Sequence, residues 1–216
     1  MAAHGRVPLA DLVYSTLRKR IIRLEIMPGS KIDVAAIASE FAASTMPVRD
    51  ALKRLLERQL VVFMPGHGYR VIELTAREIE DAFEFRKLIE VSLLPKAMCA
   101  VHKRDVLSLR TQMKHLESTS LPQTQLRAEF DRLDDRLHCE LIVEACGNRF
   151  ARMSMEVTHD FLAIARHLNE RIHESLKEHI GILDAWSAGN TEEACLLLAL
   201  HLDHSLQACL PAGTLA

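Results

Sequence analysis

The 216-residue sequence contains no apolar run near the ~20 residues a membrane span requires, so no membrane-spanning helix is expected. Met1 to Pro8 carry His4 and Arg6 but no apolar core, and no signal peptide is expected either. Cysteine offers no framework. Cys99, Cys139, Cys146, Cys195 and Cys209 are odd in number and include no C-x-x-C, which reads as reduced thiols in a cytoplasmic protein. There is no internal repeat and no low-complexity tract, and no credible strand follows Thr75. What remains is a chain with 49% apolar and 26% charged residues, enough for one large folded domain or two modest ones.

A net charge of −2 hides an asymmetry. Residues 1–73 hold 11 Lys/Arg against 7 Asp/Glu, and residues 74–216 hold 16 against 22. A basic first third joined to an acidic remainder suggests a module for a polyanion attached to something else.

The first third carries a recognisable order of elements. Leu9, Leu12, Val13, Leu17, Ile21, Ile22 and Leu24 recur with helical period, and Met27-Pro28-Gly29 stops that helix. Asp33 is placed to cap a short helix over Val34 to Phe41. Ala42 to Thr45 form a turn, and Pro47 fits the first turn of a helix over about Met46 to Gln59. On that helix Val48, Ala51, Leu52, Leu55 and Leu56 are expected to face inward. Arg49, Lys53 and Arg54 cannot all join them, so part of the basic set must point outward. Leu60 to Met64 and Tyr69 to Glu73 bracket Pro65-Gly66-His67-Gly68 as a hairpin with a glycine-rich tip.

This is the layout of a winged helix-turn-helix, which places one helix in the DNA major groove. Ser44 and Thr45 offer hydroxyls to phosphate beside the free N–H groups of a helix start. Pro47 sets that start, Arg49 can reach base edges or phosphate, and Lys53 can meet phosphate. His67, between Gly66 and Gly68, can reach the adjacent minor groove. The plainer reading of Arg49 and Lys53 is a solvated helix face; the complete order of elements favours DNA.

The segment resembles the GntR family of bacterial transcription regulators. The resemblance rests on Pro28-Gly29, on Ser44-Thr45-Met46-Pro47-Val48-Arg49-Asp50-Ala51-Leu52-Lys53-Arg54-Leu55, and on Gly68-Tyr69-Arg70-Val71. Thr45 stands where that family usually has Arg and Met46 where it usually has Thr, so the operator sequence does not carry over from relatives.

From residue 75 on, helical patterns fall at about 75–101, 103–117, 125–146, 149–168, 170–188 and 191–209. Thr75 and Glu78 form a capping box, Pro95 should kink the first of these helices, and breaks fall at Gly147-Asn148, around Asn169 and at Gly189-Asn190. Nine of the eleven histidines lie in this part. Asp134 and His138 share a helix face, and His179 and His201 sit on two later helices. Three imidazoles and a carboxylate converging in a bundle would suit Zn²⁺, Ni²⁺, Mn²⁺ or Fe²⁺. Spacing alone equally allows ordinary half-buried histidines.

The helical part resembles the FCD ligand-binding domain of the FadR-type GntR subfamily. The matching motifs are Asp134 to His138 (with Leu137 where Phe is common), Glu178-His179 through Ala185, Ala194 to His201, and Arg86 to Glu90. The resemblance implies that Asp134, His138, His179 and His201 ligate a divalent metal. It also implies that Arg86, and Asn148 in a Gly-Asn pair one residue further from His138 than usual, meet an effector. The plainer reading of Arg86 is an ion pair with Glu90. His204, three residues beyond His201, is an alternate ligand.

The expected fold is mainly α: a winged helix-turn-helix over 1–74, then an all-α six-helix antiparallel bundle over 75–216. The expected function is a cytoplasmic homodimeric transcription regulator, a repressor and not an enzyme. It would bind palindromic double-stranded DNA under control of a small organic acid held at the metal. A metal-dependent enzyme with an attached DNA-binding domain and a direct metal sensor are the alternatives.

Overall fold

The computed structural model describes residues 8–167 and 171–210. The chain divides into two compact units: Met1–Thr75 with His159–Leu168, and Ala76–Thr158 with Asn169–Ala216. The break expected around Asn169 lies outside the described residues.

The first unit holds helices α1 (Leu9–Ile22), α2 (Val34–Glu40) and α3 (Thr45–Glu57) and strands β1 (Val61–Met64) and β2 (Gly68–Val71). Asp33 caps α2 as expected, its carboxylate accepting from the N–H groups of Ala35 and Ala36. Two of the four donors that a helix start leaves unpaired are met this way. Val13, Leu17 and Ile21 of α1 pack with Val48, Ala51, Leu52 and Leu55 of α3 in one core. Leu56 does not join them: it is 39% exposed. The strands pair antiparallel, Val61 opposite Val71 and Met64 opposite Gly68. Gly66 and Gly68 have φ of 77° and 84°, a region that side chains with a Cβ enter only at a cost. The residues 159–167 add Ile164 to this core and Asp160, buried, to an ion pair with Arg18.

The second unit is helical: α4 (Ala76–Ala100), α5 (Lys103–Ser118), α6 (Gln123–Asp135), most of α7 (Arg149–His167), α8 (Ile172–Ala188) and α9 (Thr191–Cys209). Helix α4 runs continuously with Pro95 inside it. The segment expected as one helix over 125–146 departs from that pattern. After α6 the backbone widens into a π-helical stretch, Arg136–Val143, then tightens into a 3-10 turn, Glu144–Cys146, and ends at Gly147. Helices α4, α5, α6, α8 and α9 enclose one apolar core, from Leu94 and Leu109 to Leu183 and Leu198. All five cysteines are free thiols. No helix among the described residues is long and apolar enough to cross a membrane.

Candidate nucleic-acid interface and metal centre

The start of α3 is open to solvent. Ser44 occupies the N-cap position in extended conformation, yet its hydroxyl makes no capping bond, so it stays available. Ser44, Thr45 and Arg49 are exposed and Pro47 is half-buried in the first turn. Lys53 is 67% exposed, with Asp50 3.5 Å away. Arg54 turns the other way: it pairs with Asp11 at 2.5 Å and lies 4.0 Å over the Tyr14 ring, tying α3 to α1. The basic face is therefore divided. Arg49 and Lys53 stay outward, and Arg54 helps hold the helix pair. At the hairpin tip Gly66 and His67 are exposed and Gly68 is half-buried. Met46 is 71% exposed beside Thr45.

In the second unit four residues from four places meet. Asp134 comes from the end of α6, His138 from the π-helical stretch, His179 from α8 and His201 from α9. Their relative exposures are 2%, 0%, 0% and 3%. One ligand atom from each lies within 4.8 Å of all the others. The Nε2 atoms of His138 and His179 are 3.1 Å apart, and those of His179 and His201 3.0 Å. Asp134 Oδ1 is 3.6 Å from the Nε2 atoms of His138 and His179. Short π-helical stretches are rare and occur frequently at functional sites. Here the stretch carries His138 and begins just after Asp134.

The surroundings decide the charge of these rings. Burial, then the neighbouring His201 and His138, push His179 well below its ordinary value. Burial lowers His201 to about 4 despite the bond from Glu178. Neutral imidazoles are what a metal requires. Behind them stand two carboxylates. Glu90 Oε2 lies 2.5 Å from His138 Nδ1, and Glu178 Oε2 lies 2.8 Å from His201 Nδ1. Burial alone would raise Glu90, but Arg86 and His138 outweigh it and hold it at about 2. Burial likewise opposes ionisation of Glu178, and hydrogen bonds from His201, Arg171 and His204 bring it to about 2. Cys139, beside His138 in sequence, is pushed up to about 12 by burial and then by Asp135, so it stays a thiol.

This donor set fits a divalent ion. An ionised carboxylate only accepts, so each ring donates to its glutamate from Nδ1, and a neutral ring then carries its lone pair on Nε2. Both lone pairs face His179 Nε2 at 3.0–3.1 Å. That nitrogen has one proton at most and cannot satisfy both neighbours, whereas a cation at the convergence would satisfy all three nitrogens and Asp134.

The other expected residues are placed differently. Arg86 donates through Nε to Glu90, so the ion-pair reading of Arg86 holds; its Nη2 is buried with no hydrogen-bond partner. Asn148 is exposed, and its Oδ1 accepts from the N–H groups of Phe150 and Ala151 at 3.1 Å, capping the start of α7. His204 Nδ1 bonds Glu178 rather than joining the four ligands. The sequence reading missed Glu90 and Glu178 as partners of the ligand histidines. Glu178 left one trace, its place next to His179. Glu90 was visible only as the partner of Arg86, and nothing tied it to His138, 48 residues away.

The chain is similar to known proteins over most of its length. Residues 9–71 match the bacterial regulatory proteins of the gntR family, and residues 81–204 match the FCD domain. An uncharacterised HTH-type regulator of Bacillus subtilis, YdhC, is 25% identical over 90% of this chain and 88% of its own length. The HTH-type transcriptional repressor GlaR of Escherichia coli is 26% identical over 88% of this chain and 90% of its own. A GntR regulator from Rhodococcus sp. RHA1 shares the fold at a TM-score of 0.78 and 22% identity, covering 94% of this chain and 98% of that one. The FCD domain of the transcriptional regulator TM0439, solved metal-free, is 27% identical at a TM-score of 0.57, over 63% of this chain and 94% of that one. The chain belongs to the GntR family of bacterial transcription regulators, not to an enzyme class, and joins an N-terminal helix-turn-helix domain to a C-terminal FCD domain of the FadR-like type.

Proposed function

We propose that this regulator is a homodimeric repressor whose hold on a palindromic operator is set by a small organic acid bound at a divalent metal. The metal would be held by Asp134, His138, His179 and His201; Zn²⁺, Ni²⁺, Mn²⁺ and Fe²⁺ all accept such ligands. The observation that carries the reading is the convergence of three buried Nε2 atoms and Asp134 Oδ1. The ion supplies Lewis-acid positions for a further oxygen ligand.

Charge points to the class of effector. Arg86 and Glu90 balance one another in the buried set, and Asp134, deprotonated as a metal ligand must be, would bring one negative charge. With neutral histidines the set is one charge negative, and a divalent ion turns it one charge positive. A carboxylate is the neutralising partner. Arg86 Nη2 is a buried donor in search of an acceptor, and unmet buried donors cost about 1–3 kcal/mol. Asn148 enters this reading only if its capping bonds to α7 are exchanged for the effector.

On the DNA side, Ser44, Thr45, Pro47, Arg49 and Lys53 would dock the start of α3 in the major groove, with Gly66, His67 and Gly68 carrying the wing to the adjacent minor groove. Two-fold protein symmetry matches a two-fold operator. The repressor assignment follows the likeness to GlaR, an HTH-type transcriptional repressor. A gel-shift titration with DNA from upstream of the chain's own gene tests the whole reading: dimeric protein that fails to bind at low salt would sink it. A second reading, in which the ion itself is the signal, is favoured by the near-complete burial of all four ligands. Operator binding that follows metal without any organic acid would select it.

A further inference from the structure

We propose that Glu90 and Glu178 are the positioning residues of the metal centre: each fixes one imidazole through Nδ1, so that His138 and His201 present Nε2 inward, while His179 has no carboxylate on its Nδ1. The inference rests on the metal reading above. A neutral imidazole has one N–H and one lone pair, and the partner of one nitrogen decides which the other carries. Glu90 lies 2.5 Å from His138 Nδ1 and Glu178 lies 2.8 Å from His201 Nδ1. Both carboxylates are already engaged from the far side, Glu90 by Arg86 and Glu178 by Arg171 and His204. Each ring is thereby held in one tautomer and one orientation.

The two supports are unequal. Glu90 is wholly buried, and its charge is balanced by Arg86 one turn away on the same helix. Glu178 keeps 23% side-chain exposure and shares its oxygens with His204, whose side chain is 48% exposed. It also joins α8, which carries His179, to α9, which carries His201 and His204. His179 has no such support: its Nδ1 is buried without a partner. The ring packs on Phe130, stacked at 5.9 Å between centroids and 5° between planes, and its Nε2 meets His138 and His201. His138 is thus the rigid ligand, His201 the one tied to the surface, and His179 the one with no carboxylate behind it.

Variants separate these roles. Glu178→Gln keeps an oxygen that accepts from His201 but loses the charge that makes the ring a better ligand. Glu178→Ala loses both. Glu90→Gln would strand the buried Arg86, so the usable variant is the double change Arg86→Met with Glu90→Gln, which removes both charges and keeps an acceptor beside His138. Full-length protein is stripped of metal and titrated with Co²⁺ alone, whose visible absorption reports ligand geometry. Zn²⁺ affinity is then read by competition with a chromophoric chelator. Circular dichroism checks the fold. Loss of an outer partner of a metal ligand typically costs 10–100-fold in metal affinity. The expected order is wild type, then Glu178→Gln, then Glu178→Ala, with the double variant also weakened and the Co²⁺ spectrum altered in each. Folded Glu178→Ala and double variants with wild-type affinity and spectrum would overturn the positioning roles alone. Wild-type protein that takes up neither ion would overturn the metal reading and this inference with it.

Discussion

Acid should unfold the metal-free protein in two separate pH windows. In the folded state His201 is depressed to about 4 and His179 well below its ordinary value, both mainly by burial. In the unfolded chain each returns to about 6.5. Above that pH neither state binds the proton. Below it the unfolded chain does and the folded one does not, so stability falls as pH drops from about 6.5 towards 4. Each histidine contributes about 1.4 kcal/mol per pH unit. For His201 alone the window is worth about 3 kcal/mol, and His179 adds to it with the same sign. Glu90 and Glu178, held at about 2, act in a second window. Their stabilisation is present above about pH 4.5 and is lost as pH falls towards 2. Small domains have only about 5–15 kcal/mol in total, so the first window alone removes a large share. Urea denaturation of chelator-treated protein between pH 8 and 4.5 measures it. The slope should flatten in a His179→Gln, His201→Gln variant. A metal-free wild type whose stability is level from pH 7 to 5 would refute the assignment of these rings as buried and neutral. With metal present the ligands stay neutral to lower pH, and apparent affinity for the ion should weaken as protons compete.

Three further outcomes are expected. Arg49→Ala should weaken operator binding by about 1–3 kcal/mol if the guanidinium reads a base, whereas Lys53→Ala should weaken all sequences alike and lower the salt slope by about one; fluorescence anisotropy against operator and scrambled DNA distinguishes them. His179→Ala should remove most bound metal, measured by elemental analysis, from a protein still folded by circular dichroism. Gly66→Ala places a Cβ at a φ of 77° and should cost about 1–2 kcal/mol of stability in the first unit, read by thermal denaturation, while leaving metal content unchanged.

Where the sequence was legible, local chemistry was decisive. Asp33 announces α2 because a carboxylate before an apolar run has two N–H groups to meet. Gly66 and Gly68 mark the hairpin because the turn needs positive φ. Leu56 was misread because leucines at 52, 55 and 56 span two adjacent sides of a helix, and period alone does not say where the buried arc ends. The π-helical stretch left no signal at all. Arg136 to Val143 are ordinary helix formers, and what departs from the α pattern there is backbone geometry, not composition. The four ligands lie on separate elements, His138 being 41 residues from His179 and His179 22 from His201. Resemblance to a family could gather them; spacing could not.

The energetics also constrain how an acid at this centre could act as a signal. A ligand moves a two-state equilibrium only by its differential affinity for the two states. Turning a regulator from almost always bound to almost always released takes about 10⁴-fold preference, or about 5.5 kcal/mol. One hydrogen bond from Arg86 to a carboxylate is worth about 1.5–3 kcal/mol, so Arg86 alone cannot throw such a switch. In the proposed mechanism the remainder would come from coordination to the ion. That requires the ion's position, and so the orientation of His201 by Glu178, to differ between the two states. Of the two supporting carboxylates, Glu178 is the one built for this. It is partly exposed, shared between α8 and α9, and held by Arg171 and His204 as well as by the buried His201, whereas Glu90 is locked in the interior with Arg86. Substitutions at Glu178 should therefore change the effector's differential affinity, measured as the ratio of operator affinities with and without the acid. Substitutions on the Glu90 side should lower metal affinity, and those that also remove Arg86 should reduce that ratio by no more than about 1.5–3 kcal/mol, the worth of its one hydrogen bond.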